Sequence, residues 1–124
     1  MAVKARRILI VDDSRGVRNA LTLMLSPRGF DCVQAENGVR ALEVLSAEHI
    51  DAVLTDLHMP ELDGLELLGF MRRDAALRDT PVFVLTGDWH EEAVDELEHA
   101  GATGVLRKPV SRDLLVATLQ ECLG

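Results

Sequence analysis

The sequence predicts an α/β domain, a parallel sheet of five strands with helices on both faces. Three observations carry this. Short apolar runs recur five times along the 124 residues, and each is followed by a segment of helical periodicity. The runs are continuously apolar rather than alternating, as strands covered on both faces are. The connections are short, with no linker, low-complexity tract or repeat between them.

Ile8-Leu9-Ile10-Val11 is the first strand. Residues 14–25 form the first helix, with Val17, Ala20, Leu21, Met24 and Leu25 on one face, and Pro27-Arg28-Gly29 ends it. Cys32-Val33-Gln34-Ala35 is a weaker second strand, expected near a sheet edge. Asn37-Gly38 is a turn and a candidate cap for a helix over about 39–48, which buries Leu42 and Leu45. Residues 51–56 are the third strand. The third helix, 64–73, begins at a glycine beyond the Pro60 loop and turns Leu65, Leu67, Leu68 and Met71 inward. Residues 81–86 are the fourth strand, with Pro81 tolerated at its first position. A short helix over 91–100 turns Val94 and Leu97 inward, and 104–108 is the fifth strand. Ser111 caps the last helix, 111–123, with Leu115, Leu119 and Cys122 on one stripe. Five βαβ-type units in succession imply a doubly wound sheet of flavodoxin-like order 2-1-3-4-5 with five helices.

At this length the chain, residues 1–124, is expected to form one domain with a real core. The hydrophobic fraction of 48% is too high for a disordered chain. No apolar run reaches the roughly 20 residues that span a bilayer. The basic start over 1–7 runs into four apolar residues and then Asp12-Asp13, too short for a signal-peptide core. The expected address is cytoplasmic, away from membranes. A net charge of −8 argues against direct nucleic-acid binding. Cys32 and Cys122 lack metal or redox spacing and read as small, mostly buried side chains.

The chemistry gathers where the strands end. Asp12-Asp13 follow strand 1, Asp56 closes strand 3, Thr86-Gly87 follow strand 4, and Lys108-Pro109 follow strand 5. In a doubly wound sheet of this order strands 1 and 3 flank the switch point, so Asp12, Asp13 and Asp56 should converge. Three carboxylates in one cleft repel, so one takes a proton or a cation joins them. Oxygen ligands with room for water suit a magnesium-like ion. Lys108 adds a compact positive charge, Thr86 a hydroxyl, and Gly87 a backbone N–H open to approach. The set is that of a phosphoryl site with one carboxylate able to act as nucleophile.

Ile-Leu-Ile-Val-Asp-Asp, Asp56-x-x-Met59-Pro60-x-x-Asp63-Gly64, Val-Leu-Thr86-Gly87 and Leu-Arg-Lys108-Pro109 together resemble the receiver domains of two-component response regulators. The resemblance spans essentially the whole chain. It implies that Asp56 accepts phosphate from a phosphohistidine of a sensor kinase or histidine phosphotransfer protein. It implies that Asp13 and Asp56 ligate Mg²⁺, that Asp12 helps directly or through water, and that the backbone carbonyl of His58 completes the protein ligands. Lys108 would contact the phosphoryl oxygens and Thr86 would swing its hydroxyl toward them, loop 87–90 following. The Lys108–Pro109 peptide would be cis and aim the lysine inward. The output would be a shift of the strand 4/helix 4/strand 5/helix 5 face that controls a downstream protein target. Such a chain is no turnover enzyme, although it assists its own phosphorylation and dephosphorylation; it would be a monomer or weak dimer.

Where the family usually carries Tyr or Phe near strand 5, this chain has Val105, so a readout by aromatic rotation is in question. The side chains of His58 and Asp88 are expected to set water access to the acyl phosphate. His49, His90 and His99 read as solvated. Trp89 reads as partly buried against helix 4, or else as a phosphorylation-sensitive contact. Between 88 and 106 there are six carboxylates and no Lys or Arg, either a solvated face or an acidic surface for a basic partner. Three alternatives compete. A Mg²⁺-dependent phosphohydrolase would want a second Asp two residues after Asp56. A flavin carrier would want a donor-rich first loop in place of Asp-Asp-Ser-Arg-Gly. A receiver module from a larger hybrid kinase or transcription regulator is the third; the Met1 start and the close at Gly124 favour a stand-alone receiver.

Overall fold

The computed structural model describes residues 4–124; residues 1–3, the start of the basic segment, lie outside the described residues. Five parallel strands, β1 (Arg7–Val11), β2 (Asp31–Ala35), β3 (Ala52–Asp56), β4 (Val82–Thr86) and β5 (Gly104–Arg107), form one sheet in the order β2-β1-β3-β4-β5. The helices between and after them are α1 (Arg15–Leu25), α2 (Gly38–Ala47), α3 (Gly64–Arg73), α4 (Glu91–His99) and α5 (Arg112–Leu123). The order and the helix count are those expected from the alternation of patterns.

Alternate residues of each strand feed two cores. Ile8, Ile10, Ala52, Leu54, Phe83 and Leu85 meet Leu21 and Leu25 of α1 and Leu115, Val116 and Leu119 of α5. Leu9, Val11, Val53, Val82 and Val84 meet α2, α3 and Leu97 of α4. The strands are apolar throughout because both faces are covered. β2 is an edge strand, with Cys32, Val33 and Gln34 only half-buried.

The helices are not equally anchored. α3 buries Leu67, Leu68 and Met71 completely, whereas α4 has one buried side chain, Leu97. At about 2 kcal/mol per buried large side chain, α4 holds to the sheet by roughly a third of the apolar attachment of α3. Side chains cap the other four helices: Ser14, Asn37, Ser111, and Asp63 with Glu66 in a reciprocal capping box. His90, at the start of α4, makes no such bond. Among the five α-helices, α4 therefore has least to lose by moving.

Some expectations shift. Cys122 is exposed, because the inward face of α5 runs Leu115, Val116, Leu119 and then half-buried Leu123, leaving Cys122 off its edge. Cys32 is half-buried rather than mostly buried. Ala20 is exposed, at the margin of the buried face of α1. In α3, Leu65 is only half-buried at the end of the core, while Leu67, Leu68 and Met71 are buried as expected. Asp51 lies just before β3; its Oδ2 accepts the Arg7 N–H at 2.7 Å and ties β1 to the α2–β3 loop.

Candidate functional site

Parallel register assembles the site. Val11 pairs with Thr55, Asp56 with Leu85, and Thr86 with Arg107. Each strand thus delivers its next polar residue to the same edge. Asp12, Asp13 and Asp56 each place a carboxylate oxygen within 4.8 Å of the others. Asp12 is buried, Asp56 half-buried and Asp13 exposed. Lys108 Nζ lies 3.1 Å from Asp12 Oδ2 and 3.2 Å from Asp56 Oδ1, bridging the two inner carboxylates. The Lys108–Pro109 peptide is cis.

Asp12 is held from several sides. Its Oδ1 accepts the Ser14 N–H at 2.8 Å, and its backbone carbonyl accepts Arg18 Nη1 at 2.7 Å. Ser14 in turn caps α1. The Asp-x-Ser spacing could have signalled this turn; Arg18 had no signal and was missed. Burial is the largest influence on Asp56. Lys108 opposes it, Asp12 and Asp13 reinforce it, and the carboxyl is held above its usual range. For Lys108 burial pulls downward, but hydrogen bonding and charge from Asp12 and Asp56 prevail, and the ammonium is held above its usual range.

The loop after Asp56 is braced against the core. Met59 is buried among the residues packed under α2 and α3, while Pro60 and the His58 side chain are exposed. Glu61 takes a left-handed backbone at φ 68°. A Cβ at Gly64 would collide with the Asp56 carbonyl oxygen and lie 3.0 Å from Leu57 Cα, so only glycine lets α3 start so close beneath Asp56. Asp63, for all its nearness in sequence, does not join the carboxylate cluster; it caps α3.

Thr86 is buried, and its hydroxyl is occupied locally. Oγ1 accepts the Asp88 N–H at 3.1 Å and donates to the Asp88 carbonyl at 3.3 Å. A Cβ on Gly87 would meet nothing within 4 Å, so the space above it is open. Asp88 Oδ1 lies 2.8 Å from His90 Nε2. His90 and His49 are exposed yet paired with carboxylates, and exposed His99 bonds the Asp95 carbonyl. Trp89 is half-buried. Val105 pairs with Val84 and packs, half-buried, against the α4 side of the core.

An apolar groove of about 400 Å³ runs from Lys108 between α1 and the β5–α5 loop, lined by Val17, Met24 and Val110 among others. A larger hollow, about 480 Å³, lies at the opposite end of the sheet around Lys4, Arg6 and His49. The Asp51 carboxylate there is already bonded by Arg7 and His49, so that end carries structure rather than chemistry.

The donor set consists of carboxylate oxygens, which fits a hard divalent ion such as Mg²⁺ and not a soft one.

Comparison with known proteins agrees with this architecture. The response regulator receiver domain family matches residues 8–120. The sensory/regulatory protein RpfC of Xanthomonas campestris is 36% identical over 121 residues, covering 96% of this chain and 17% of that protein. The CAI-1 autoinducer sensor kinase/phosphatase CqsS of Vibrio cholerae is 32% identical, covering 90% of this chain and 16% of that protein. The chain thus spans only about a sixth of the curated relatives it matches. Among solved structures, the chemotaxis response regulator CheY4 of Vibrio cholerae superposes with a TM-score of 0.90 at 31% identity, covering 96% of this chain and 99% of that one. With the sheet order, the carboxylate cluster and the bridging lysine in place, the chain belongs to the response regulator receiver domains, the signalling domains of two-component systems.

Proposed function

We propose that Asp56 accepts a phosphoryl group from a phosphohistidine of a sensor kinase or phosphotransfer protein, and that the modified domain controls a protein partner. One observation carries this: the half-buried Asp56 carboxylate sits beside Lys108, with two further carboxylates within 4.8 Å. An oxygen of Asp56 attacks phosphorus in line. The phosphorus–nitrogen bond of the donor breaks, and its electron pair returns to the imidazole, which takes up a proton.

Asp12, Asp13, Asp56 and the His58 carbonyl would hold Mg²⁺. When bound, the ion offsets negative charge on the transferring group. Lys108 adds its own positive charge and turns from Asp56 toward the phosphoryl oxygens. The new group carries roughly −2 charge, enough to reorganise neighbouring donors. Thr86 gives up its bonds to Asp88 and donates its hydroxyl to the phosphoryl group, so loop 87–90 and the lightly anchored α4 follow. Val105 provides a small packing surface in place of a turning ring. The output is a population shift of the β4/α4/β5/α5 face.

The side chains of His58 and Asp88 line one cleft and gate the water that cleaves the acyl phosphate. Unchanged dephosphorylation in both His58→Ala and Asp88→Ala would remove that role. The phosphoacceptor reading is tested by intact mass after incubation with acetyl phosphate and Mg²⁺. Wild type should gain one phosphoryl group and Asp56→Asn none. No gain on wild type, or equal gain on both, refutes it.

A further inference from the structure

We infer that the cleft between α3 and α4 docks a basic segment of a partner protein through one long cationic side chain. The cleft is about 230 Å³, with Leu57, Leu65 and Ala93 against it, and His58, Asp88 and Glu96 among its polar lining. That volume is below the roughly 300–1,000 Å³ typical of small-molecule sites and suits a single inserted side chain. Of the carboxylates lining it, Asp63 caps α3 and Asp88 lies beside His90, which leaves Glu96 uncommitted. Apolar walls beside one free carboxylate select an aliphatic stem with a cationic head, the amphipathic shape of arginine or lysine.

The charge of α4 makes the same demand. Glu91 and Glu92, in its first turn, favour the helix dipole; Asp95, Glu96 and Glu98, further along, oppose it. Glu91 and Asp95, and Glu92 and Glu96, are like charges four residues apart, an arrangement that destabilises a helix. No Lys or Arg lies between 79 and 106, and among the described residues none of these five carboxylates forms an ion pair. A helix with one buried side chain and no side-chain cap thus carries self-repelling charge that the chain itself leaves unbalanced. A cationic partner relieves it.

The cleft also touches both ends of the switch. His58 stands two residues after Asp56, and the Asp88 backbone holds the Thr86 hydroxyl. Resting on the switch reading above, movement of Thr86 displaces one wall of the cleft. Docking and phosphorylation then alter each other's equilibrium by the same factor.

The test uses a fluorescein-labelled amphipathic peptide of leucine, alanine and arginine. A control peptide has citrulline, the neutral isostere, in place of arginine. Anisotropy is read on the full chain with and without acetyl phosphate and Mg²⁺, and phosphorylation is read by mass in the same samples. The arginine peptide should bind, and its affinity should change on phosphorylation; the citrulline peptide should bind about tenfold or more weakly. Glu96→Gln should weaken binding about three- to tenfold, and Glu121→Gln, on α5, should not. Ala93→Phe, which fills the cleft and keeps every charge, should abolish binding while circular dichroism stays native.

Equal binding of both peptides, equal loss in Glu96→Gln and Glu121→Gln, or unimpaired binding to folded Ala93→Phe overturns the inference. So does a dimer of the chain alone that Glu96→Gln dissolves, which would give the cleft to a second copy. Phosphoryl uptake without peptide binding in either state sinks the docking and leaves the switch. Binding without uptake leaves the docking and sinks the switch and its coupling.

Discussion

Replacing Asp56 with asparagine should make the metal-free protein more stable, although it removes the residue on which the site is centred. Asp12 and Asp13 place carboxylate oxygens within 4.8 Å of the Asp56 oxygen. At that distance and an effective dielectric of about 20, each like charge repels by about 3.5 kcal/mol. Lys108, at 3.2 Å, attracts by about 5 kcal/mol on the same scale. The balance is unfavourable by about 2 kcal/mol before burial is added, and solvent around exposed Asp13 reduces it. A net gain of about 1–2 kcal/mol is expected for Asp56→Asn at neutral pH, or a Tm increase of roughly 4–8 °C.

The pH dependence has a definite sign. Burial first, then the neighbouring carboxylates, hold the folded-state pKa of Asp56 above its unfolded value against the pull of Lys108. The protonated group contributes stability that is fully present below the unfolded pKa and lost as pH rises through the folded pKa. The advantage of Asp56→Asn is therefore greatest above the folded pKa and shrinks as pH falls through it. Urea unfolding in EDTA reads it as a shifted midpoint at unchanged m. Millimolar Mg²⁺ should then raise wild type more than the variant, closing the gap. An Asp56→Asn midpoint at or below wild type in EDTA at neutral pH would show that like-charge repulsion and burial do not outweigh Lys108 at Asp56.

Burial alone would raise the pKa of Asp51, but the Arg7 N–H and His49 hold it below the usual carboxylate range. Its contribution is present above the unfolded pKa and lost as pH falls through the folded pKa. Asp51→Ala, which leaves the Arg7 N–H unpaired, should cost about 1–3 kcal/mol at neutral pH, with the gap narrowing in acid melts. Gly64→Ala should cost about 2 kcal/mol or more, because the new methyl strikes the Asp56 carbonyl, and should also lower phosphoryl uptake. Urea unfolding and intact mass check the two effects. Arg72 donates to the carbonyls of Gly101 at 2.9 Å and Thr80 at 2.8 Å, clamping the turns before β4 and β5. Arg72→Met should cost about 2–3 kcal/mol and increase amide hydrogen exchange across residues 100–103.

The strands and helices were legible in the sequence because both cores run through contiguous periodic segments. Ile8 to Val11 and Val82 to Leu85 allow no other reading once the helices between them are recognised. The acidic and basic residues at strand ends were legible for the same reason: polar groups that interrupt buried runs stand out. Their convergence was legible only through the strand order that βαβ units impose.

Other features depended on three-dimensional packing. The exposed Cys122 and the half-buried Leu65 follow from how far each helix is rotated against the sheet, which periodicity locates to within about one residue on the face. Arg18 and Arg72 reach backbone carbonyls that are distant in sequence or lie in irregular turns, and no local pattern marks a long side chain for that task. The local closure of the Thr86 hydroxyl onto Asp88 is a choice between competing hydrogen bonds that only the folded geometry makes. The sheet, its order and the polar residues at its carboxyl edge could be read from the chain alone. The tertiary structure decided the hydrogen bonds of Thr86, the clearance at Gly64 and the cleft beside α4, because each depends on distances between segments rather than on any one of them.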